Sequence, residues 1–390
     1  VGRLARTLAT AALALAGLAV AAVLAEGILR ALDRPPQVRS GWLSTHLAVE
    51  ENEMQYRGQP IRYEDGDHVV LLVGDSQVEA KACSYDWMPE RRLEHYLREL
   101  SGLPVRVFSV GASGYGQDQE LLALRRYLRR FRADRVVAWL TLNNDVKDNT
   151  WPTFSTIDGR PKPTFWLEQG RLAGPDHMTA ELVGSPIRLV ALIDLARRRS
   201  PDAEWAARHL PPPYEPLSES AVARSGETVR DDWQTLADQG LMSAYSLAIE
   251  KNDRALRLAP ASERTRYGIA LTRELLRAMR EVSESAGARF TLFAVDKGDK
   301  GEEMDGIYRL GGSYYRASSE QFWENVGEIT DGFDYHLLPI IEPLWQAGKL
   351  DHHLNEHATD DVMRELAARL APGLAPGLQS EPPAGGPQRP

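Results

Sequence analysis

The sequence predicts an α/β protein, a three-layer α/β/α sandwich built on a mostly parallel sheet, preceded by one apolar N-terminal helix. Three observations carry that class. The run His68-Val69-Val70-Leu71-Leu72-Val73 is apolar on both faces and stops abruptly at Gly74-Asp75-Ser76, as a strand buried within a parallel sheet does. Two further runs, 105–110 and 135–141, end in the same manner, at Gly111-Ala112-Ser113-Gly114 and at Asn143-Asn144-Asp145. Helical spacing of apolar residues fills the segments between them, so strand–loop–helix units repeat, which argues a parallel sheet covered on both sides.

The N-terminus differs in kind. Arg3 and Arg6 precede an uninterrupted apolar stretch of nineteen residues, Thr7 to Ala25. At about 1.5 Å rise per residue it extends ~30 Å, enough for the hydrocarbon core of a bilayer. Positive residues ahead of it favour a cytoplasmic N-terminus and export of everything after it. Ala22-Val23-Leu24-Ala25 also offers the small residues of a cleavage site, so a removed signal peptide is the alternative. The helical register continues through Glu26 to Leu32 without a break. We therefore read 1–33 as a transmembrane signal anchor with an extracytoplasmic (periplasmic) domain after it; a cleaved segment would leave that domain periplasmic or secreted.

Asp33-Arg34-Pro35-Pro36 breaks the helix, and 34–62 reads as a linker and approach segment to a domain over 63–372. After the first strand, Pro89 opens a helix over 89–100 with Leu93, Tyr96, Leu97 and Leu100 on one face. Leu121, Leu124, Leu128 and Phe131 mark a second over 117–131. Residues 150–262 carry Pro-rich stretches at 160–164 and 211–217, a helical patch at 187–199 and no strand repeat. They are too many for a plain loop and read as an insertion over one end of the sheet. Regularity resumes with a helix over 263–285, carrying Leu271, Leu275, Met279 and Val282 and stopped by Gly287. A fourth strand over 289–295, a short fifth over 333–338 and a closing helix over 358–370 follow. The Pro/Gly-rich tail, 373–390, is predicted to be disordered.

A formal net charge of -9 over 390 residues gives no concentrated basic surface for phosphates, which excludes nucleic acid as the expected partner. Clusters such as Arg129-Arg130-Phe131-Arg132 read as solvated helix faces. Cys83 is the sole cysteine, so no intramolecular disulfide or thiolate metal site is available.

In a parallel sheet the C-terminal strand ends share one rim, where ligands bind. Ser76, Gly114 and Asn144 each follow such an end, and the loop Lys349-Leu350-Asp351-His352-His353-Leu354-Asn355-Glu356-His357 can reach the same rim. Together they supply a hydroxyl, a glycine-lined backbone, a carboxamide and imidazoles. Acyl transfer needs these parts: a nucleophile, a base with an orienting partner, and donors for an oxyanion. Singly, each has a plain explanation. Ser76 suits a helix N-cap, and Asn144-Asp145 an Asx turn. Gly111-x-x-Gly114-x-Gly116 only superficially matches a dinucleotide loop, since it follows the second strand and no acid ends the next one. The histidines beside Asp351 and Glu356 lack a second ligand cluster for a metal. Asp75 and Glu79 read as turn-fixing and helix-end charges. Trp151, Phe154, Phe165 and Trp166 suit either a substrate cleft or the insertion's own core.

With these four blocks in this order, the chain resembles the SGNH-type (GDSL-like) hydrolases, and within them the membrane-anchored extracytoplasmic branch, over about 67–372. The resemblance implies a flavodoxin-like sheet and Ser76 as nucleophile, with His353 as general base and Asp351 as its orienting acid. It implies an oxyanion hole formed by the backbone N–H groups of Ser76 and Gly114 and the side chain of Asn144, with neither metal nor cofactor. Two positions depart from the family pattern. Asn143 stands where a glycine is usual, and Asp351 lies two residues before the histidine, not three; His352 and His357 are alternative bases. The implied activity is hydrolysis of an ester through an acyl-serine. The implied substrate is an acylated small molecule or carbohydrate, such as O-acyl groups of the cell envelope. An O-acyltransferase served by a membrane partner, or a non-catalytic envelope-binding protein retaining the fold, are the alternative readings.

Overall fold

The apolar runs become the strands of one sheet because each is long enough to bury both faces. In this computed structural model, which describes residues 2–31, 51–154, 161–176, 201–240, 242–296, 304–339, 346–348 and 351–374, the sheet comprises β1 (His68–Gly74), β2 (Val105–Gly111), β3 (Arg135–Leu140), β4 (Arg289–Asp296) and β5 (Tyr335–Pro339). All neighbours are parallel, in the order β2-β1-β3-β4-β5. That is the flavodoxin-like order, whose topological switch point lies between β1 and β3. The expected α/β class and sheet hold.

The two-residue period of β1 sends Val69, Leu71 and Val73 to one core and Val70 and Leu72 to the other. The first core is closed by α4 (Gln117–Leu128), α6 (Glu263–Ser285) and α7 (Ser319–Thr330), through Leu121, Leu124, Leu271, Leu275, Met279 and Phe322. The second is closed by α3 (Pro89–Ser101) and α8 (Glu356–Leu370), through Leu93, Leu97, Val362, Leu366 and Leu370. Gly287, at φ 84°, ends α6 in the left-handed region that glycine tolerates. At the N-terminus α1 (Gly2–Ala31) contains Leu13–Ala31, a nineteen-residue stretch long and apolar enough to cross a membrane, none of it buried.

Part of the segment read as an approach belongs to the core. Met54 and Tyr56 are fully buried. Asn52 Nδ2 donates to Ser109 O at 2.9 Å, and Gln59 Nε2 donates to Val107 O. β2 is a sheet edge, and these side chains occupy backbone acceptors that an edge otherwise leaves open. Polar composition hid this, because the bonds come from Asn and Gln.

The insertion contributes an antiparallel hairpin, Thr164–Glu168 with Arg171–Asp176, and helices at Pro201–His209, Glu219–Ser225, Asp232–Asp238 and Ala244–Ala248. A second hairpin, Gly306–Leu310 with Ser313–Ala317, lies between β4 and β5 and pairs with Val229–Arg230 of the insertion. The two segments share a satellite core of Tyr214, Trp233, Leu247, Tyr308 and Tyr315, with Trp233 stacked on Tyr308 at 4.4 Å. This small sheet had no counterpart in the sequence reading, since its strands pair across more than seventy residues. Trp151, Phe154 and Phe165 are buried, and the two phenylalanines belong to the main core; Trp166 is half-buried. The patch at 187–199 and the tail from 375 lie outside the described residues.

Candidate active site

β1 hands the chain to a four-residue helix, α2 (Ser76–Glu79). The helix packs directly on the strand ends: a Cβ at Gly74 would lie 2.5 Å from Val78 Cγ2, and one at Gly111 would lie 2.7 Å from Val78 Cβ. Asp75, not Ser76, caps α2, its Oδ1 accepting from Gln77 N at 2.8 Å. Ser76 is half-buried, and its hydroxyl makes no hydrogen bond among the described residues. The plain explanation of Ser76 as a cap therefore fails. The other end of α2 is constrained as well. Ala80 sits at φ 48°, ψ 51°, a left-handed conformation that costs a non-glycine residue about 1–3 kcal/mol. Arg57 holds it there by donating to the carbonyls of Glu79, Ala80 and Cys83.

The glycine loop after β2 is tied to α2 by a buried carboxylate. Glu79 Oε2 accepts from Ser113 N at 3.0 Å and from Ser113 Oγ, with Lys81 Nζ 3.4 Å away. Glu79 thus does more than favour a helix end. Tyr115 N donates to Ala112 O at 3.2 Å, closing a turn in which Gly114 has φ 78°. Gly116 leaves room for Asn149, whose Oδ1 would lie 2.5 Å from a Cβ there.

Asn144 opens α5 (Asp145–Thr150) after β3. Its Nδ2 donates to Asp75 Oδ2 at 3.1 Å and to Asp148 Oδ2 at 3.2 Å. Asn143, in place of the usual glycine, is absent from the left-handed residues, so this loop needs no glycine. Below Asn144, Asp145 Oδ2 accepts from Thr141 N at 2.8 Å and Gln117 Nε2 at 2.6 Å. Glu120 is fully buried beside Asp75, Asp118 and Asp145, with the Gln117 amide as its only polar support among the described residues. Burial first, and then the neighbouring carboxylates, push the Glu120 and Asp145 carboxyls well above the usual range. The sequence offered no sign of this acidic floor, nor of Arg57 and Gln77. Among the described residues no three His, Cys, Asp or Glu side chains form a group able to hold a metal ion.

His353 lies on the strand Asp351–Leu354, paired with Gln346–Gly348. Leu354 N donates to Gln77 Oε1 at 3.3 Å, which brings this strand to within one residue of Ser76 in the chain. Leu354 is buried in the α3/α8 core, and the strand's alternation turns half-buried His353 the other way. Ser84 N and Oγ donate to Glu356 Oε1 at 2.8 and 2.6 Å. Buried Cys83 meets Thr359 Oγ1 at 3.4 Å. His357 sits on α8 with its ring 6.3 Å from Trp87. The side chains of Asp351 and His352 lie outside the described residues. On the same rim, a small open pocket lies beyond the ends of β3 and β4, lined by Thr141, Asn143, Arg257, Asp296, Phe322 and Trp323.

No protein-family model and no curated protein matches the chain. Among solved structures it is similar to the acetyl xylan esterase Est2A from the rumen bacterium Butyrivibrio proteoclasticus, at 8% identity and TM-score 0.32. That match covers 81% of this chain and 66%, just under two thirds, of the other. It is also similar to Est24, a carbohydrate acetylesterase from Sinorhizobium meliloti, at 10% identity and TM-score 0.32, over 78% of this chain and 98% of that one. A carbohydrate acetylesterase family member from the same organism matches at 14% identity and TM-score 0.25, over 78% and 97%. Likenesses of this depth leave the chemistry to be argued from the site itself.

Proposed function

We propose that this chain is a serine-dependent ester hydrolase of the SGNH type, anchored by α1 and acting outside the cytoplasm on O-acyl groups of cell-envelope carbohydrate. Ser76 Oγ attacks the ester carbonyl while His353, oriented by Asp351, takes its proton. The oxyanion receives hydrogen bonds from the N–H groups of Ser76 and Gly114 and from Asn144. His353 then returns the proton to the departing sugar oxygen, and water, deprotonated by the same imidazole, releases the acid from the acyl-serine.

One observation carries this reading: Asp75 performs the capping at the switch point, leaving the Ser76 hydroxyl, two residues beyond β1, with no hydrogen bond among the described residues. Gly114 and Asn144 support it by following the two neighbouring strand ends. The carbohydrate substrate rests on the resemblance of the four sequence blocks and on the apolar helix α1. Fluorophosphonate labelling of the full-length protein in detergent tests the nucleophile without a known substrate. Labelling at Ser76, with p-nitrophenyl acetate hydrolysis lost in Ser76→Ala by on the order of 10⁵-fold, is expected. Equal activity in that variant would sink the assignment.

A further inference from the structure

We propose that Asp75 is a positioning residue for Asn144, binding the turn that presents the nucleophile to the side chain that stabilises the oxyanion. This rests on the serine-hydrolase reading above and adds to it the device that keeps two loops, 69 residues apart in sequence, in one geometry.

Asp75 uses its two oxygens differently. Oδ1 accepts from Gln77 N at 2.8 Å and so fixes the first turn of α2, while Oδ2 accepts from Asn144 Nδ2 at 3.1 Å. A cap alone needs only the first bond, which Asn or Ser at this position supplies as well. The second bond needs an acceptor facing an amide donor, and a carboxylate is the side chain of this length that has acceptors only. Asp75 is 1% exposed, so little water competes for the bond.

Glu120 and Asp145 pack against Asp75, and both are pushed toward their neutral forms. Asp148, 2% exposed, takes the second hydrogen of the Asn144 amide at 3.2 Å. Both amide hydrogens are thus engaged, and an oxyanion must draw one away. Asp148 is the partner that yields, because Lys147 Nζ lies 3.7 Å from it to offset its charge. Asp75 remains tied to α2 and keeps the amide aimed.

Asp75→Asn separates the two roles. The introduced asparagine still caps α2 through its carbonyl oxygen, but turns its NH₂ toward the NH₂ of Asn144, donor against donor. In full-length protein in detergent, kcat on p-nitrophenyl acetate is expected to fall about 10²-fold, the scale of losing one oxyanion donor, with KM within about twofold. The reversed pair, Asp75→Asn with Asn144→Asp, restores a donor–acceptor bridge without the oxyanion donor. Its melting temperature should exceed that of either single variant while kcat stays low. A kcat for Asp75→Asn within twofold of the parent, or a reversed pair no more stable than the singles, overturns the proposal. Failure of the serine reading shows separately, as absence of Ser76 labelling in the parent protein, and leaves the melting cycle to decide the bridge.

Discussion

The proposed oxyanion side and the proposed base side of this rim are built on different supports. Ser76, Gly114 and Asn144 follow three adjacent parallel strands, and their loops are joined by part-buried bonds, Glu79 to Ser113 and Asp75 to Asn144. The close contact of Val78 with Gly74 and Gly111 locks α2 onto the same strands. His353 stands outside that sheet, on a four-residue strand with a three-residue partner. The loop is fastened by Leu354 to Gln77 and by Ser84 to Glu356, the second bond lying at the exposed surface. Donors whose positions are set by a sheet cost little to reorganise during reaction, which is what electrostatic stabilisation requires. A base that moves a proton between two oxygens tolerates, and in our reading uses, a looser mount.

The largest test of this contrast is the identity of the base. His353→Ala should lose kcat by on the order of 10⁴–10⁶-fold, comparable with loss of the nucleophile, and His352→Ala by less than about tenfold. Reversal of the two in steady-state kinetics transfers the role to His352.

A second test addresses the acidic floor under the donors. The Glu120 carboxyl is raised in the folded state, so the fold binds its proton more tightly than the unfolded chain does. Folding stability therefore falls as pH rises above the unfolded value of about 4.3, by at most ~1.4 kcal/mol per pH unit, until the raised folded value is passed. Glu120→Gln should remove the Glu120 share of that slope and leave the share of Asp145. The variant's melting temperature should pull ahead of the parent's between pH 5 and pH 8, at about 2–4 °C per kcal/mol. Parallel curves across that range would show that Glu120 is not the group responsible.

The smallest effect belongs to the fastening of the histidine loop. Ser84→Ala removes the hydroxyl bond to Glu356, about 0.5–1.5 kcal/mol at most and less where exposed. We expect kcat lowered by less than about threefold and the Glu356 carboxyl, now held low by Ser84, to titrate higher by NMR. A loss near that of His353→Ala would instead make this loop as rigidly required as the donors.

Local pattern was enough to read the five strands of the main sheet, their order of appearance, the covering helices α3, α4, α6 and α8 but not α7, and the three loops at the rim. Each is written in short-range signals: apolar runs of five or six residues, helical spacing, and a small or polar stop. The sequence did not reveal that residues 51–61 cover the β2 edge, that Val229–Arg230 pairs with a hairpin beyond β4, or that three nearby aromatics are buried. Those features depend on which surfaces meet, and the polar residues involved carry no periodicity.

The same division runs through the site. Ser76, Gly114, Asn144 and His353 are legible because strand ends and motifs announce them. The sequence alone could not say whether Ser76 caps α2. The structure gives the cap to Asp75, which accepts from Gln77 N and, across 69 residues, from Asn144. Nor could the sequence bring the His353 strand to Gln77 across 277 residues. A chain's local propensities determine which elements form; only the closing of the sheet and its two cores brings distant polar groups within hydrogen-bond range, and burial then makes those bonds worth keeping.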